Sequence, residues 1–239
     1  MAVIEVQVIS DIVCAWCYVA KRNLDTAISL YRKTYPGGRS DTFSINWTPY
    51  YLNYNPYSYS VEKHTLVDVR LPDTTPEQRE AMNKKMNAAG RAVGISFNWG
   101  GKIGPDTRDA HRLIHLAQSR REGSANDVDP DGETLSAVVE SLFEAYHVLA
   151  QDVSEKEVLR NIALRAGIQA VEVDRVLDSD EAVDIVDKQA EESKKMANAG
   201  VPMFIVQKSH RVDSTPDPMD LMLLFVKARE EQEVEGQSA

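Results

Sequence analysis

Two cysteines, Cys14 and Cys17, are the residues whose type and spacing most directly suggest chemistry. They are the only cysteines among 239 residues, and they lie in the segment "SDIVCAWCYVAKRNL", residues 10–24, with Ala15 and Trp16 between them. In a C-x-x-C sequence, one thiolate can attack a substrate disulfide, and the second thiol can then resolve the mixed disulfide. The spacing therefore favours dithiol–disulfide chemistry, if the fold places the pair suitably.

The residues on either side of the pair predict a strand followed by a helix. Residues 3–9, "VIEVQVI", alternate apolar and polar side chains, and residues 14–33 have the apolar spacing of one helix face. Cys14 is then expected at or next to the helix N-cap, where free backbone N–H groups and the positive end of the helix dipole stabilise a thiolate. Cys17 follows one turn later, within reach of a mixed disulfide on Cys14.

Three roles without redox chemistry stay open for the pair. A structural zinc site needs about four ligands, and the chain has no second C-x-x-C or Cys/His cluster. The cysteines could instead be small buried core residues, or an unreactive disulfide that closes too short a loop to add much stability.

His111 and His115 have a spacing that a metal could use, but "HRLIH" lacks the glutamate of the H-E-x-x-H motif. We expect these histidines to pack between helices and sheet, and we expect no metal site.

The rest of the chain predicts a long helical stretch between two sets of strands. A strand at 42–50 completes a βαβ unit, and capping boxes are expected at Thr75/Gln78 and Ser154/Glu157. Helices are expected at about 76–94, 106–120, 132–149, 154–167 and 180–199, strands at 201–206 and 210–213, and a last helix at 216–230. Because the early and late strands need each other to form a sheet, the fold class is α/β with the helical stretch inserted in one domain.

Composition and charge limit the partners. The formal net charge of −10 disfavours nucleic acid and anionic membranes as partners. The sequence has no apolar run of the roughly 20 residues that span a bilayer, and "MAVIEVQVIS" lacks the basic start of a signal peptide. We therefore expect a cytoplasmic protein, and in a reducing compartment a close cysteine pair is more often catalytic or metal-binding than structural.

Three segments resemble a known family. "SDIVCAWCYVAKRNL", "AHRLIHLA" at 110–117 and "GVPMFIV" at 200–206 are similar to the FrnE-like cytosolic branch of the DsbA family, over about residues 3–228. The resemblance implies a thioredoxin-like fold with a large all-helical insertion and a dithiol oxidoreductase activity. It implies residues 1–55 and 179–229 as the two parts of the thioredoxin-like domain and 56–178 as the insertion. Residues 230–239 are acidic and lack apolar periodicity, so we expect a flexible acidic tail there.

The resemblance also implies roles for individual residues. Cys14 is the nucleophilic thiolate, Cys17 the resolving thiol, and Pro202 a cis-proline beside them that leaves the backbone of Val201 free to pair with substrate. Trp16 is expected to contact substrate through its amphipathic ring. The expected partner is a protein or small-molecule thiol or disulfide, without a bound cofactor.

Two alternatives remain. Kappa-class glutathione transferases and chromene-carboxylate isomerases share this fold, carry Ser where Cys14 stands and use glutathione, which would then be a co-substrate here. The turn Asp213–Thr215 could receive a glutathione carboxylate at a helix N-terminus, or Ser214 or Thr215 could simply cap that helix. The protein could also be a non-catalytic relative that binds a metabolite or a protein partner.

Lys21 and Arg22 follow Cys14 within two helical turns, and we expect them on a solvated helix face.

Overall fold

The computed structural model of the chain describes residues 2–122 and 132–237. The strands are β1 (Val3–Ser10), β2 (Thr42–Pro49), β3 (Val61–Glu62), β4 (Lys102–Ile103), β5 (Met203–Val206) and β6 (His210–Asp213). The α-helices are α1 (Ala15–Thr34), α2 (Val67–Arg70), α3 (Pro76–Ala92), α4 (Arg108–Glu122), α5 (Glu133–His147), α6 (Lys156–Arg165), α7 (Ala170–Leu177), α8 (Val183–Met196) and α9 (Pro218–Gln237).

The main sheet joins the two ends of the chain. Its strand order is β2-β1-β5-β6, with β1 parallel to β2 and both β5 and β6 antiparallel to their neighbours. A parallel pair needs a crossover connection, and α1 supplies it between β1 and β2. The predicted βαβ unit, the late strands and the hairpin between them are confirmed, and the architecture is that of a thioredoxin-like α/β fold.

Local sequence signals set several helix ends. The hydroxyl of Thr75 accepts a hydrogen bond from the backbone of Gln78, whose side chain in turn accepts one from the backbone of Thr75, so the predicted capping box of α3 is confirmed. Helix α1 ends before Pro36, because a residue preceding proline is displaced from helical backbone angles. Tyr35 accordingly has φ −79° and ψ 131°.

The helical stretch and the sheet share one hydrophobic core. Tyr18 of α1 stacks on Phe143 of α5 at 5.2 Å between ring centres, and Trp47 of β2 meets the same ring edge-on at 6.3 Å. Buried residues of both parts belong to one contiguous cluster. The helices of this stretch therefore pack directly onto α1 and β2. The domain boundaries stay a prediction.

Four expectations about elements need correction. The short pair β3 and β4 was missed, because two-residue strands have too little periodicity to detect. Helix α7 and the one-turn helix α2 were also missed. The capping box at Ser154 is wrong: Glu155 is the N-cap of α6, and the Ser154 hydroxyl donates to Asp152 at 2.8 Å instead. Finally, we expected the last helix to end at residue 230, but α9 continues to Gln237. The flexibility of the acidic tail stays a prediction.

Candidate active site

The cysteine pair lies on the first turn of α1. Cys14 is the N-cap residue, with φ −86° and ψ 110°, and its N–H donates to the carbonyl of Asp11 at 3.1 Å. The carbonyl of Cys14 accepts the N–H of Cys17 at 3.0 Å, which is the first hydrogen bond of the helix. Both cysteines are free thiols in this structure. The predicted position of Cys14 at the helix start is confirmed.

The two thiols differ in exposure. Cys14 is 7% exposed and Cys17 is 1% exposed. Burial raises the pKa of Cys17 well above its ordinary value, and its hydrogen bond to Cys14 and the charge of Cys14 act in the same direction, while a backbone hydrogen bond from Asp11 acts against them. Cys17 is therefore a thiol at neutral pH, and it must lose a proton before its sulfur can attack.

The loop before β5 lies against Cys14. The Sγ atom of Cys14 is 3.7 Å from the carbonyl oxygen of Val201, and the Val201–Pro202 peptide bond is cis. The sequence prediction of a cis bond is thus confirmed, as is the prediction that Pro202 adjoins the thiol site. The carbonyl of Pro202 accepts the N–H of Ser214 at 3.1 Å, which ties this loop to the end of β6.

Two aromatic rings lie near the thiols, and each has a cationic side chain close to it. Trp16 is half-buried, and the Lys85 ammonium lies 5.9 Å from the centre of its ring. Tyr54 lines a narrow cleft together with Asp11, and the exposed Arg70 guanidinium lies 3.6 Å from the centre of the Tyr54 ring. These rings give the site an apolar rim with positive charge on it.

A buried carboxylate adjoins the pair, and the sequence interpretation did not single it out. Asp11 is fully buried, and its Oδ2 accepts the N–H of Leu52 at 2.8 Å. Nε2 of His111, a residue that is 3% exposed, lies 3.6 Å from Oδ1 of Asp11. The expectation that His111 packs between helices and sheet is confirmed. The available signal was an acidic residue inside the apolar segment "ISDIVC".

A second histidine, on helix α5, contacts the loop between β1 and Cys14. His147, at the end of α5, is buried and places Nε2 2.9 Å from the carbonyl oxygen of Ile12. Burial lowers the pKa of His147 to about 3, and the charge of Lys63 acts in the same direction. The ring is therefore neutral and donates an Nε2–H hydrogen bond to Ile12.

The expectation of a solvated face at Lys21 is wrong. Lys21 is 5% exposed, and its ammonium contacts Glu140 at 2.6 Å and Asp25 at 2.7 Å. Arg22 also pairs with Glu140, which in addition accepts the hydroxyl of Tyr18 at 2.7 Å. Glu140 belongs to α5, so this ion-pair network joins the cysteine helix to the helical stretch.

The turn at 213–215 does not lie at a helix N-terminus. Helix α9 begins at Pro218, and Asp217 caps it by accepting the N–H of Met219 at 2.8 Å. Capping by Ser214 or Thr215 is therefore wrong. The Thr215 hydroxyl instead approaches the carbonyl of Trp16 at 3.4 Å.

Neither a metal cluster nor a membrane-spanning helix occurs in the described part of the chain. In residues 2–122 and 132–237, no group of three or more His, Cys, Asp or Glu side chains could hold a metal ion. Nor does any helix in those ranges combine the length and apolar character needed to cross a membrane.

Comparisons with known proteins agree on the fold. The most similar structures include a probable DsbA oxidoreductase from Streptomyces coelicolor, with a TM-score of 0.75 and 22% identity over 95% of this chain and 91% of that one. A cytosolic disulfide reductase, DsbM from Pseudomonas aeruginosa with GSH, has a TM-score of 0.55 at 13% identity, over 98% of this chain and 99% of that one. A 2-hydroxychromene-2-carboxylate isomerase has a TM-score of 0.57 at 13% identity, with the same two coverages. No curated protein matches the chain.

A family model decides the assignment. The model of the DSBA-like thioredoxin domain matches residues 5–223, which include both cysteines and the loop before β5. The chain therefore belongs to the DSBA-like thioredoxin domain family.

Proposed function

We propose that the protein is a thiol–disulfide oxidoreductase in which Cys14 and Cys17 alternate between dithiol and disulfide. The observation that carries this proposal is the arrangement of three groups: Cys14 at the N-cap of α1, Cys17 buried one turn later, and the Val201 carbonyl 3.7 Å from the Cys14 sulfur. A purely structural pair would need neither the helix N-terminus nor the backbone carbonyl beside the Cys14 sulfur.

The two sulfurs have different roles in the proposed cycle. The Cys14 thiolate attacks a substrate disulfide, forms a mixed disulfide and releases the first substrate sulfur as a thiolate. Cys17 then loses its proton and attacks Cys14, so that the Cys14–Cys17 bond forms and the second substrate sulfur leaves with the bonding electrons. The substrate disulfide is reduced to two thiols and the protein dithiol is oxidised; the reverse sequence oxidises a substrate dithiol.

Substrate contacts are proposed beside Cys14. The Val201 backbone, held by the Pro202 loop, pairs with an extended segment of substrate, and Trp16 contacts the groups next to the substrate sulfur. A protein or small-molecule disulfide fits this arrangement, and no bound cofactor takes part. We also propose a cytoplasmic location, which suits an exchange reaction supplied by small thiols.

A glutathione-dependent reaction is the alternative at the same site. The fold does not separate the two functions, because both a disulfide reductase and a chromene-carboxylate isomerase resemble this chain. The second thiol favours the dithiol cycle, since a one-sulfur reaction with glutathione makes no use of Cys17. A non-catalytic binding role would use neither thiol.

The experiment mixes the reduced wild-type protein, Cys14→Ser and Cys17→Ser, each freed of added thiol, with a small disulfide and follows the substrate thiol that is released. We expect two thiols released per wild-type protein, none above background for Cys14→Ser, and one for Cys17→Ser, which keeps the other substrate half as a mixed disulfide. Equal rates for all three proteins would overturn the proposal. Full glutathione-dependent turnover by Cys17→Ser, lost in Cys14→Ser, would establish the glutathione-dependent alternative instead.

A further inference from the structure

We propose that Asn23 and Thr215 are positioning residues for the backbone that pairs with substrate beside Cys14. They hold residues 214–216, in the connection between β6 and α9, and this segment contacts both the cysteine helix and the loop before β5. The inference rests on the proposed dithiol cycle and deepens it, because it names the residues that keep the Val201 carbonyl next to the attacking sulfur.

The loop before β5 needs support from outside the sheet. Pairing of β5 with β1 starts at Met203, and so does its pairing with β6. Val201 and Pro202 therefore precede both ladders, and the carbonyl of Pro202 is held by the N–H of Ser214 at 3.1 Å. The position of the Val201 carbonyl, 3.7 Å from the Cys14 sulfur, thus depends on where the 214–216 segment lies.

The 214–216 segment is bonded to the cysteine helix at two points. Nδ2 of Asn23 donates to the carbonyl of Pro216 at 2.8 Å, and the Thr215 hydroxyl donates to the carbonyl of Trp16 at 3.4 Å. Trp16 and Asn23 are seven residues apart, so they lie on one face of α1, about two turns from each other. Because Trp16 lies between the two cysteines, the segment connects the C-x-x-C turn with the loop that faces it.

The backbone of the 214–216 segment has little freedom. Ser214 has φ 74°, in the left-handed region that residues other than glycine seldom adopt. Pro216 has a fixed φ, and Thr215 before it is restricted to extended angles. A strained position such as Ser214 persists when its surroundings hold it in place. The two bonds to α1 and the bond from the Ser214 N–H are such contacts.

Asn23 is a polar residue on the buried side of α1. It is 9% exposed, and the buried residues Ala20, Leu24 and Ala27 around it in the helix are apolar core residues. A buried amide is destabilising unless it is hydrogen-bonded, and the carbonyl of Pro216 is the acceptor here. This bond joins α1 to the 214–216 segment, so holding that segment is what the amide adds to the fold.

Two classes of disulfide should respond differently when these bonds are lost. A peptide disulfide can pair its main chain with the Val201 backbone while Cys14 attacks, so its reaction requires both groups at the correct separation. A small disulfide without peptide groups needs only access to the sulfur. Asn23 and Thr215 therefore determine the preference for peptide disulfides, and they do not take part in the sulfur chemistry itself.

The test follows adduct formation on Cys14 by mass spectrometry, in a Cys17→Ser parent protein that isolates the first attack. The substrates are the disulfide-linked dimer of the peptide acetyl-Ala-Ala-Cys-Ala-Ala-amide and hydroxyethyl disulfide, which has no peptide group. Asn23→Leu should slow the reaction with the peptide disulfide about threefold to tenfold, the usual contribution of one hydrogen bond, and leave the rate with hydroxyethyl disulfide within about twofold. Thr215→Val should slow only the peptide reaction as well, by about twofold to threefold, because its bond is longer.

Matched variants separate positioning from damage to the fold. Thr215→Ser retains the hydroxyl and should restore most of the rate with the peptide disulfide. Thr26→Val removes a hydroxyl that donates to the Arg22 carbonyl on an exposed face of the same helix, so both rates should stay unchanged. Equal slowing of both disulfides in Asn23→Leu and Thr215→Val, or no slowing of either, would overturn the inference, as would failure of Thr215→Ser to restore the rate. Absence of any Cys14 adduct in the parent protein would instead refute the dithiol cycle.

Discussion

The strongest prediction from burial concerns His147 and the stability of the protein in mild acid. His147 is buried, neutral and bound to the carbonyl of Ile12 at 2.9 Å. Its pKa is lowered from 6.5 to about 3, so between these values the unfolded chain binds a proton that the folded chain does not. Stability is therefore lost as pH falls from about 6.5 towards 3, and the free energy of unfolding decreases with falling pH in that window.

The size of this effect follows from the shift. A shift from 6.5 to about 3 corresponds to about 5 kcal/mol when complete, at 1.36 kcal/mol per unit. Between pH 7 and pH 5 the loss is about 2 kcal/mol, since only the unfolded state titrates there. His147→Gln removes the titration and retains an N–H donor for Ile12. The variant should lose about 2 kcal/mol less than the wild type over this interval, whatever its stability at pH 7.

Urea unfolding at pH 7 and pH 5 measures both proteins under the same conditions. Other groups that titrate in this interval affect wild type and variant alike, so they cancel in the difference. His64→Gln, at an exposed position, is the matched control and should follow the wild type. If the difference between wild type and His147→Gln is the same at both pH values, the assignment of His147 as a buried neutral donor is wrong.

Three further predictions use the surroundings of the cysteines. Glu140→Gln should lower the free energy of unfolding by about 2 kcal/mol, because the buried Lys21 ammonium loses one of its two carboxylate partners. Glu80→Gln, in the exposed pair with Lys84, should change it by less than about 0.5 kcal/mol. Denaturant unfolding measures both variants, and equal effects would contradict the network. Arg70→Glu should slow attack on an anionic disulfide about threefold or more relative to attack on a neutral one. Equal slowing with both substrates would show that the positive charge of Arg70 does not select between them. Alkylation of the reduced native protein should add one group, at Cys14, and two after unfolding; rapid native labelling of Cys17 would contradict its burial.

Much of the fold follows from local sequence signals. The alternation in residues 3–9 gives β1, and the proline after Tyr35 ends α1. The C-x-x-C pair and Pro202 lie far apart in the sequence, yet each has a local signal, namely a helix start and an apolar strand start. That the two lie in one site was predicted from the resemblance to the DsbA family, because neither local signal brings them together.

Other parts depend on contacts between distant segments and have no local signal. Lys21 has the spacing of a solvated residue, and only the packing of α5 brings Glu140 onto it. Asp11 looks like a loop residue until His111 of α4 covers it. At Ser154 the local capping pattern was present, but Asp152 competes for the hydroxyl. Local patterns thus predicted the elements and the reactive pair, whereas the charged groups that support the pair required the tertiary structure.

The central claim is that Cys14 attacks substrate and Cys17 resolves the product, and mass spectrometry of a trapped intermediate tests it most directly. Reduced Cys17→Ser mixed with oxidised glutathione should gain the mass of one glutathione on Cys14 and retain it. The wild type under the same conditions should end without an adduct, as a Cys14–Cys17 disulfide two hydrogens lighter than the dithiol. A stable adduct on the wild type, or none on Cys17→Ser, would contradict the account.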